Sequence, residues 1–340
     1  MLYYCLVEFL CRLKVSIMVR AENDDNQKSK IGHMKISDTI TGENRSLTLE
    51  NERLRVVVLP DAGGKIISLR DLQHNYEWLS QGPLPTTELL KRRQIGDRWT
   101  GREGWGWDEC FPNIAAENPG LYDHGEIWSR PWQFKTEGNR LVGTVEGYAF
   151  NYLFERSLQL EDAALVATYR VTNRAAEPLK VIWAMHSVFA AQSGMRIELP
   201  ESIHQLKVES GIAATPAKKG EMISWPLFKD PTNETLDLSV IPPRDTAPFA
   251  LKLFTPPLSV NEGWLTFSGP GGKLKISFDP ARMPFLGLWL NYGAWENAFE
   301  AALEPTLADS DALSTAAREG RAINIEPGSS FGWEIRLAVD

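Results

Sequence analysis

Apolar and polar residues alternate along most of the chain from residue 46 onward, and turn residues recur about every ten positions. Leu47 and Leu49 alternate with polar neighbours, and Leu54 and Val56 resume the same period after a polar turn. A period of two places successive side chains on opposite faces of a β-strand. Short strands separated by short turns predict antiparallel sheet rather than alternating strands and helices.

The same pattern continues through the rest of the chain. In the middle third we expect strands at about residues 132–137, 140–150, 152–160, 163–173 and 179–190. In the last third we expect strands near residues 247–254, 263–268, 273–279, 285–291, 299–304 and 331–338. Residues 307–320 carry one short helical pattern. The sequence therefore predicts an all-β fold, a large antiparallel β-sandwich with few short helices, forming a single domain over residues 36–340.

One long segment, residues 82–123, lacks clean periodicity. It is rich in glycine, proline, tryptophan and charged residues, and its only helical pattern is short, around Thr87 to Arg93. Loops this long in a domain are usually functional or disordered. The many tryptophans favour an ordered loop, so we expect this segment to be a functional loop at the edge of the sandwich.

Residues 1–35 do not share the alternating pattern. The first twenty residues are apolar but interrupted by charges, which suits neither a signal peptide nor a membrane helix. Residues 21–33 are polar, as disordered segments are. We expect residues 1–35 to be a leader outside the fold, either disordered or the product of an upstream start of translation.

Composition and charge exclude several classes of function. The chain has 340 residues and a net charge of −8, so it presents no basic footprint for nucleic acid or an anionic membrane. No stretch is long and apolar enough to span a bilayer. Cys5, Cys11 and Cys110 form neither a disulfide framework nor a metal-ligand cluster. Unpaired cysteines without a signal peptide favour a cytoplasmic protein, with a monomer or a homodimer left open.

His186 is the one ionisable side chain in an apolar run, Val181 to Ala190. An imidazole inside apolar surroundings costs free energy unless it is hydrogen-bonded. Histidine is also the side chain best suited to proton transfer near neutral pH. His186 is therefore either a satisfied core residue or a group that the strand presents to a pocket.

His124 and Glu304 are two further candidates for proton transfer. His124 precedes Gly125, which would let the backbone approach a ligand closely; alternatively it is a loop histidine bonded to Asp123 or Glu126. Glu304 lies at a predicted strand end between a leucine and a proline. Partial desolvation there would make its carboxylate a better base, although it could instead cap the following helix.

Three short motifs follow one another along the chain. They are His124-Gly125, then His186-Ser-Val-Phe, then Leu303-Glu304-Pro with Asp309 five residues on. In this order on an all-β chain they resemble the aldose 1-epimerase family, also called galactose mutarotase-like, over about residues 40–340. The chain departs from the family's usual Tyr-Phe-Asn and Glu-Thr-Gln motifs, which leaves the sugar open.

The resemblance implies a galactose mutarotase-like super-sandwich and an isomerase that interconverts the α and β anomers of a free aldose. Glu304 would act as the base, His186 as the acid on the ring oxygen, and His124 as a second donor. Ring opening of this kind is acid–base chemistry and needs no metal, nucleotide or covalent intermediate.

The tryptophan-rich segments supply candidate substrate contacts. Carboxylates accept hydrogen bonds from sugar hydroxyls, and indole rings offer flat apolar faces. The candidates are Asp108 and Glu109 as acceptors, Trp107 and Trp128 as stacking faces together with Trp105 and Trp132, and Arg98 as a cation. An arginine would matter if the substrate were a sugar phosphate, because it would clamp the phosphate.

Other functions remain open from the sequence alone. They are a hexose-6-phosphate 1-epimerase, another carbohydrate-active enzyme on the same sandwich, and a carbohydrate-binding protein without turnover. A glycoside hydrolase would need a pair of carboxylates, whereas a binding protein has no need of a histidine facing a glutamate. The partner that we expect is a monosaccharide or sugar phosphate, with no nucleic acid and no membrane.

Overall fold

Strands make up most of the chain that the structure describes, as the alternating pattern predicts. The computed structural model describes residues 34–41, 44–82, 94–100, 104–117, 120–213, 217–229 and 233–340. The predictions for residues 1–33 and for a short helix around Thr87 to Arg93 lie outside the described residues.

Within these residues we number twenty-four strands and one α-helix in chain order. The first twelve strands are β1 (Lys35–Thr41), β2 (Asn44–Glu50), β3 (Leu54–Leu59), β4 (Lys65–Asp71), β5 (Tyr76–Glu77), β6 (Gly106–Cys110), β7 (Gln133–Glu137), β8 (Arg140–Glu146), β9 (Tyr152–Glu161), β10 (Ala164–Asn173), β11 (Leu179–Val181) and β12 (Ala184–Ala190). The rest are β13 (Arg196–Glu198), β14 (Gln205–Ala213), β15 (Met222–Ser224), β16 (Leu227–Lys229), β17 (Thr235–Asp237), β18 (Phe249–Phe254), β19 (Trp264–Gly269), β20 (Gly272–Phe278), β21 (Phe285–Tyr292), β22 (Phe299–Thr306), the helix α1 (Leu313–Arg318), β23 (Ile323–Ile325) and β24 (Ser330–Val339).

Two large antiparallel sheets hold most of these strands. The larger sheet has twelve strands in the order β1-β2-β3-β4-β6-β12-β22-β21-β18-β14-β15, with β5 paired to β4. The smaller sheet has eight strands in the order β13-β19-β20-β24-β10-β9-β8-β7. The pairs β11-β23 and β16-β17 form two small additional sheets.

The two large sheets pack together through one apolar core. On β9, inward-facing positions are buried and alternate with partly exposed ones, as a strand with one solvated face requires. Phe154 and Tyr169 of the smaller sheet contact Phe111, which follows β6, and Trp183, which precedes β12, with ring centroids 5.1 and 4.9 Å apart. The predicted all-β sandwich, with a single short α-helix in the described residues, is confirmed.

A buried ion pair lies in this core. The Glu109 carboxylate accepts hydrogen bonds from Arg156 Nη1 (2.8 Å), Tyr169 Oη (3.0 Å) and Trp183 Nε1 (2.9 Å). Burial raises the pKa of Glu109 even though the neighbouring guanidinium opposes the change. Three donors thus satisfy a carboxylate that no water reaches, and they join β6 of the larger sheet to β9 and β10 of the smaller one.

Three sequence expectations differ from the structure. The segment 82–123 is not loop throughout, because residues 106–110 form β6 in the middle of the larger sheet; all five are buried, so alternation cannot reveal them. The expected strand 179–190 is two strands in different sheets. The helix expected over 307–320 covers only Leu313–Arg318.

No helix in the described part of the chain has the length and apolarity that crossing a bilayer requires.

We predict that Glu109→Gln lowers the free energy of unfolding by about 3–5 kcal/mol, because it leaves the buried Arg156 without its counter-ion. Urea unfolding followed by circular dichroism measures this. The matched control is Glu161→Gln, which breaks an exposed ion pair with Arg336 and should cost less than about 1 kcal/mol. Equal costs for the two variants would contradict the assigned role of Glu109.

Candidate active site

Strand register brings the candidate residues together at the centre of the larger sheet. His186 on β12 pairs with Asp108 on β6. On its other side β12 pairs Ala184 with Thr306 and Val188 with Ala302 of β22, so His186 lies opposite Glu304. Directly opposed residues point to the same face of a sheet. All three side chains therefore project from the face that is turned away from the core.

The imidazole of His186 and the carboxylate of Glu304 face each other at close range. Nε2 of His186 lies 3.8 Å from Oε1 of Glu304, which is beyond hydrogen-bonding distance. Glu304 is completely buried and His186 is 5% exposed. Oε1 of Glu304 and Nδ1 of His186 have no hydrogen-bond partner among the described residues. Buried polar atoms without protein partners are suited to hydrogen-bond a bound molecule.

Lys252 holds the other oxygen of Glu304. It lies on β18, is 4% exposed, and its Nζ donates a hydrogen bond to Oε2 of Glu304. Lys252 is not among the site residues predicted from the sequence. Lys252 shows the same sequence feature as His186, an ionisable residue within an apolar run, because it is the single charged residue in the strand Phe249–Phe254.

His124 reaches the same place from a loop. Its Nδ1 lies 2.9 Å from Oδ1 of Asp123. The hydrogen bond to Asp123 that we expected of a loop histidine is therefore present. Gly125 makes a close backbone approach, but to the protein's own backbone and not to a ligand. A Cβ on Gly125 would lie 2.1 Å from the Phe111 carbonyl oxygen. With φ at +79°, glycine is required here for both reasons.

Trp99 contacts both histidines and is also absent from the site residues predicted from the sequence. Its ring stacks on His124 with centroids 4.7 Å apart and lies 4.4 Å from His186. Its Nε1 donates to Oδ2 of Asp108 at 3.2 Å, and its backbone N–H donates to Oδ2 of Asp123 at 2.9 Å. Trp99 thus connects the strand residues to the loop that carries His124.

His186, Lys252, His124 and Trp99 border a cavity of about 420 Å³, and Glu304 lies behind His186 and Lys252 without being part of the lining. Its lining combines indole rings, carboxylates, one ammonium and two imidazoles. The lining residues are Trp99, Ile114, Ala115, Asp123, His124, His186, Ser210, Ile212, Lys252, Trp289, Trp295 and Asp311. Lys252 is the only lysine or arginine among these described lining residues.

The substrate contacts predicted on β6 lie on two opposite faces of the larger sheet. Asp108 lies on the cavity side but is 1% exposed and bonded to Lys65 Nζ at 2.5 Å and to Trp99. Glu109 and Trp107 alternate with Asp108 along β6 and are buried in the core, so neither lines the cavity. The expectation that both carboxylates face the sugar therefore fails for Glu109, because adjacent strand residues point to opposite faces.

The other predicted contacts also lie outside the cavity lining. Trp128 is buried and donates its Nε1 to the Asp123 carbonyl, which supports the loop of His124. Trp132 packs on Arg156 in the core, and Trp105 lies 5.2 Å from the ammonium of Lys65. Arg98 is exposed and acts electrostatically on Asp123. The stacking faces in the cavity are instead Trp99, Trp289 and Trp295.

The surroundings of each ionisable group set its protonation. Burial lowers the pKa of His186 well below its usual value, and His124 and Lys252 add to that effect, so the imidazole is neutral near pH 7. Burial disfavours the ammonium of Lys252, but Glu304 and Asp311 outweigh it and raise its pKa. Burial raises the pKa of Asp311. Burial works to raise the pKa of Asp123, but the hydrogen bond and charge of His124, together with the backbone N–H of Trp99, outweigh burial and lower that pKa.

The described residues contain no group of three or more His, Cys, Asp or Glu side chains arranged to hold a metal ion.

Trp295 is held over the cavity by a polar clamp. The Asn291 side chain bonds both the N–H and the carbonyl of Trp295, each at 3.0 Å. Glu300 is buried beneath this loop, 3.4 Å from Asn291 Nδ2. Burial raises the pKa of Glu300 to about 7, aided by the nearby Glu296.

The fold belongs to the all-β class of galactose mutarotase-like sandwiches. Residues 45–241 match the family model for aldose 1-epimerase, and the chain belongs to this family. No curated protein sequence matches the chain.

Solved structures share the fold at low sequence identity. A galactose mutarotase-like protein from Clostridium acetobutylicum is 15% identical, with a TM-score of 0.64 over 90% of this chain and 98% of its own. A galactose mutarotase related enzyme from Lactobacillus acidophilus is 17% identical, with a TM-score of 0.61 over 87% and 97%. A galactose mutarotase-like protein from Lactobacillus casei is 16% identical, with a TM-score of 0.60 over 87% and 100%.

We predict that Glu300 makes stability depend on pH. Because its pKa is higher in the folded chain than in the unfolded one, it stabilises the fold fully below about pH 4.5, and this contribution is lost as the pH rises through about 7. The loss amounts to about 3 kcal/mol at most. Glu300→Gln should flatten the profile of unfolding free energy, measured in urea between about pH 5 and 8, and should exceed the wild type above pH 7. The exposed Glu201→Gln serves as control, and an unchanged slope in Glu300→Gln would refute the assignment.

Proposed function

We propose that the protein is an aldose 1-epimerase that interconverts the α and β anomers of a free aldose. The observation that carries the proposal is the pair formed by Glu304 and His186, whose facing atoms lie 3.8 Å apart, with His186 lining a cavity that three tryptophans border. Membership of the aldose 1-epimerase family supports the reaction type. An imidazole and a carboxylate that face one another without bonding suit a reaction in which the carboxylate takes a proton while the imidazole donates a hydrogen bond to the oxygen that gains charge.

The reaction follows from these two groups. Oε1 of Glu304 takes the proton from the anomeric hydroxyl, the bond between C1 and the ring oxygen breaks, and C1 becomes a carbonyl carbon. His186 donates a hydrogen bond from its N–H to the departing ring oxygen, which leaves as an alkoxide. Rotation about the C1–C2 bond presents the other face of the carbonyl, the alkoxide attacks C1, and Glu304 returns its proton to the former carbonyl oxygen, which closes the ring as the opposite anomer.

The neutral state of His186 fits this role. A neutral imidazole donates one N–H, and it stabilises an oxygen that gains negative charge without first having to be protonated. His124 lies 5.1 Å away, ring to ring, and supplies a second donor to the ring oxygen or to a neighbouring hydroxyl. Its bond to Asp123 fixes the ring orientation.

Positioning of the sugar falls to the rest of the lining. Trp99, Trp289 and Trp295 offer apolar faces for the sugar ring. Asp311 has a buried oxygen, Oδ1, without a hydrogen-bond partner among the described residues, and it is suited to accept a hydroxyl. A missing hydroxyl would leave that carboxylate unpaired, which is how such a site discriminates between sugars.

We predict that the protein accelerates the relaxation of freshly dissolved α-glucose or α-galactose, measured by polarimetry. Glu304→Gln and His186→Asn should each lower kcat by about 10²–10⁴-fold, because the first removes the base and the second removes the imidazole that donates to the ring oxygen. Glu161→Gln, an exposed variant of matched chemistry, should keep full activity. Quenching of tryptophan fluorescence by sugar without any acceleration would instead favour a binding protein, and acceleration only with 6-phosphates would favour the hexose-6-phosphate epimerase.

A further inference from the structure

Lys252 reaches Glu304 across an intervening strand. Lys252 lies on β18, Glu304 lies on β22, and β21 runs between these two strands. Neighbouring strands are spaced about 4.8 Å apart, so the lysine side chain must extend over roughly 10 Å of sheet. Its ammonium nevertheless donates to Oε2 of Glu304.

Gly287 on β21 opens the route for this contact. It pairs with Glu304 on one side and with Phe254 on the other. A Cβ at this position would lie 3.1 Å from the Phe254 ring and 3.2 Å from Oε2 of Glu304. The backbone of Gly287 therefore leaves clear the space in which the ammonium and the carboxylate meet.

The contact distinguishes the two oxygens of Glu304. Oε2 is bonded to Lys252, whereas Oε1 has no partner among the described residues and faces His186. A carboxylate held at one oxygen has its other oxygen fixed in direction, which is what proton abstraction from a bound hydroxyl requires. Lys252 thus determines which oxygen of Glu304 is available to the substrate.

Stability alone does not account for this ion pair. Removing two charges from water costs several kcal/mol per ion, and well-packed apolar residues commonly stabilise a fold as well as a buried pair does. The core already joins the sheets through Glu109 and Arg156. The pair of Lys252 and Glu304 lies instead at the cavity, which Lys252 itself lines.

We propose that Lys252 is a positioning residue for the epimerase reaction: its ammonium is the buried counter-ion of Glu304 and directs Oε1 of Glu304 at the anomeric hydroxyl. The proposal rests on the proposed function.

The ionisable groups around Glu304 define the pH behaviour to expect. They are His186 on β12, Lys252 on β18, Cys110 at the end of β6, and Asp311 after β22. Of these, Lys252 is the only one that is positively charged near pH 7, because His186 is neutral, burial keeps Cys110 a thiol, and Asp311 is an acid. Without Lys252, a buried carboxylate would face a second carboxyl group with no counter-ion, which favours its protonated form.

The test is Lys252→Met, which keeps the length of the side chain and removes its charge. Relative to wild type we expect kcat at pH 7 to fall tenfold or more, KM to change little, and the acidic limb of the kcat/KM profile to move up by about one pH unit or more. Activity should recover in part at high pH. Lys252→Arg, which restores a cation, should keep the acidic limb of the wild type and serves as the folded variant if Lys252→Met does not fold.

Lys207→Met provides the matched control. Lys207 on β14 forms an ion pair with Asp309 at 2.6 Å, outside the cavity lining, and Asp309 keeps Arg321 as a second partner. This variant should keep the wild-type profile. A Lys252→Met variant with normal kcat and an unmoved acidic limb, whatever its KM, would overturn the proposal, because Lys252 would then only contact substrate or stabilise the fold.

A measurement without turnover separates this proposal from the proposed function. Infrared difference spectra between Lys252→Met and Lys252→Met/Glu304→Gln should show the C=O band of a protonated carboxyl at pH 7. The same comparison in the wild-type background should show none. Identical spectra in the two backgrounds would overturn the role of Lys252, whereas the expected spectra from a protein without mutarotation would overturn only the proposed function.

Discussion

Burying charge in the middle of a β-sheet is the constraint on which this structure depends. Among the described residues, three buried ion pairs satisfy this constraint: Glu109 with Arg156, Lys65 with Asp108, and Lys252 with Glu304. Each pair combines a residue of one strand with a partner from another, so the strand register must be correct before any charge is satisfied. An unpaired ion at such a site costs several kcal/mol, which makes these pairs strong determinants of the register.

The ion pairs of Glu109 and Glu304 lie on opposite faces of the larger sheet and have different roles. Glu109 points to the core, where Arg156, Tyr169 and Trp183 donate hydrogen bonds to its two carboxylate oxygens. Glu304 points to the cavity, where one of its oxygens is left unbonded. A carboxylate paired with a buried cation therefore stabilises the core on one face and is suited to react on the other. The difference lies in how many donors surround the carboxylate.

The sequence predicted what local patterns determine. Alternation predicts the strands and hence the sandwich, and a single histidine in an apolar run marks His186. Glu304 and His124 were identified through ordered motifs and lie at the site. Lys252 is likewise the one ionisable residue in an apolar strand. Its sequence pattern alone does not distinguish it from a lysine on a solvated face.

The remaining features depend on long-range contacts that local patterns do not encode. Strand β6 is buried throughout and shows no period, so its place beside β12 follows only from the assembled sheet. Glu109 and Asp108 are neighbours in sequence, yet only the sheet decides which of them faces the core. Trp99 meets the two histidines only because the loop around Asp123 folds back to bond its backbone.

The most direct test of the central claim is exchange spectroscopy by NMR on an equilibrium mixture of anomers. With glucose or galactose and a catalytic amount of protein, ring opening predicts exchange cross-peaks between the α and β anomeric protons, well above those of the sugar alone. Line broadening of the sugar signals that shows binding, with exchange no faster than in the sugar alone and its 6-phosphates equally unaffected, would contradict the account.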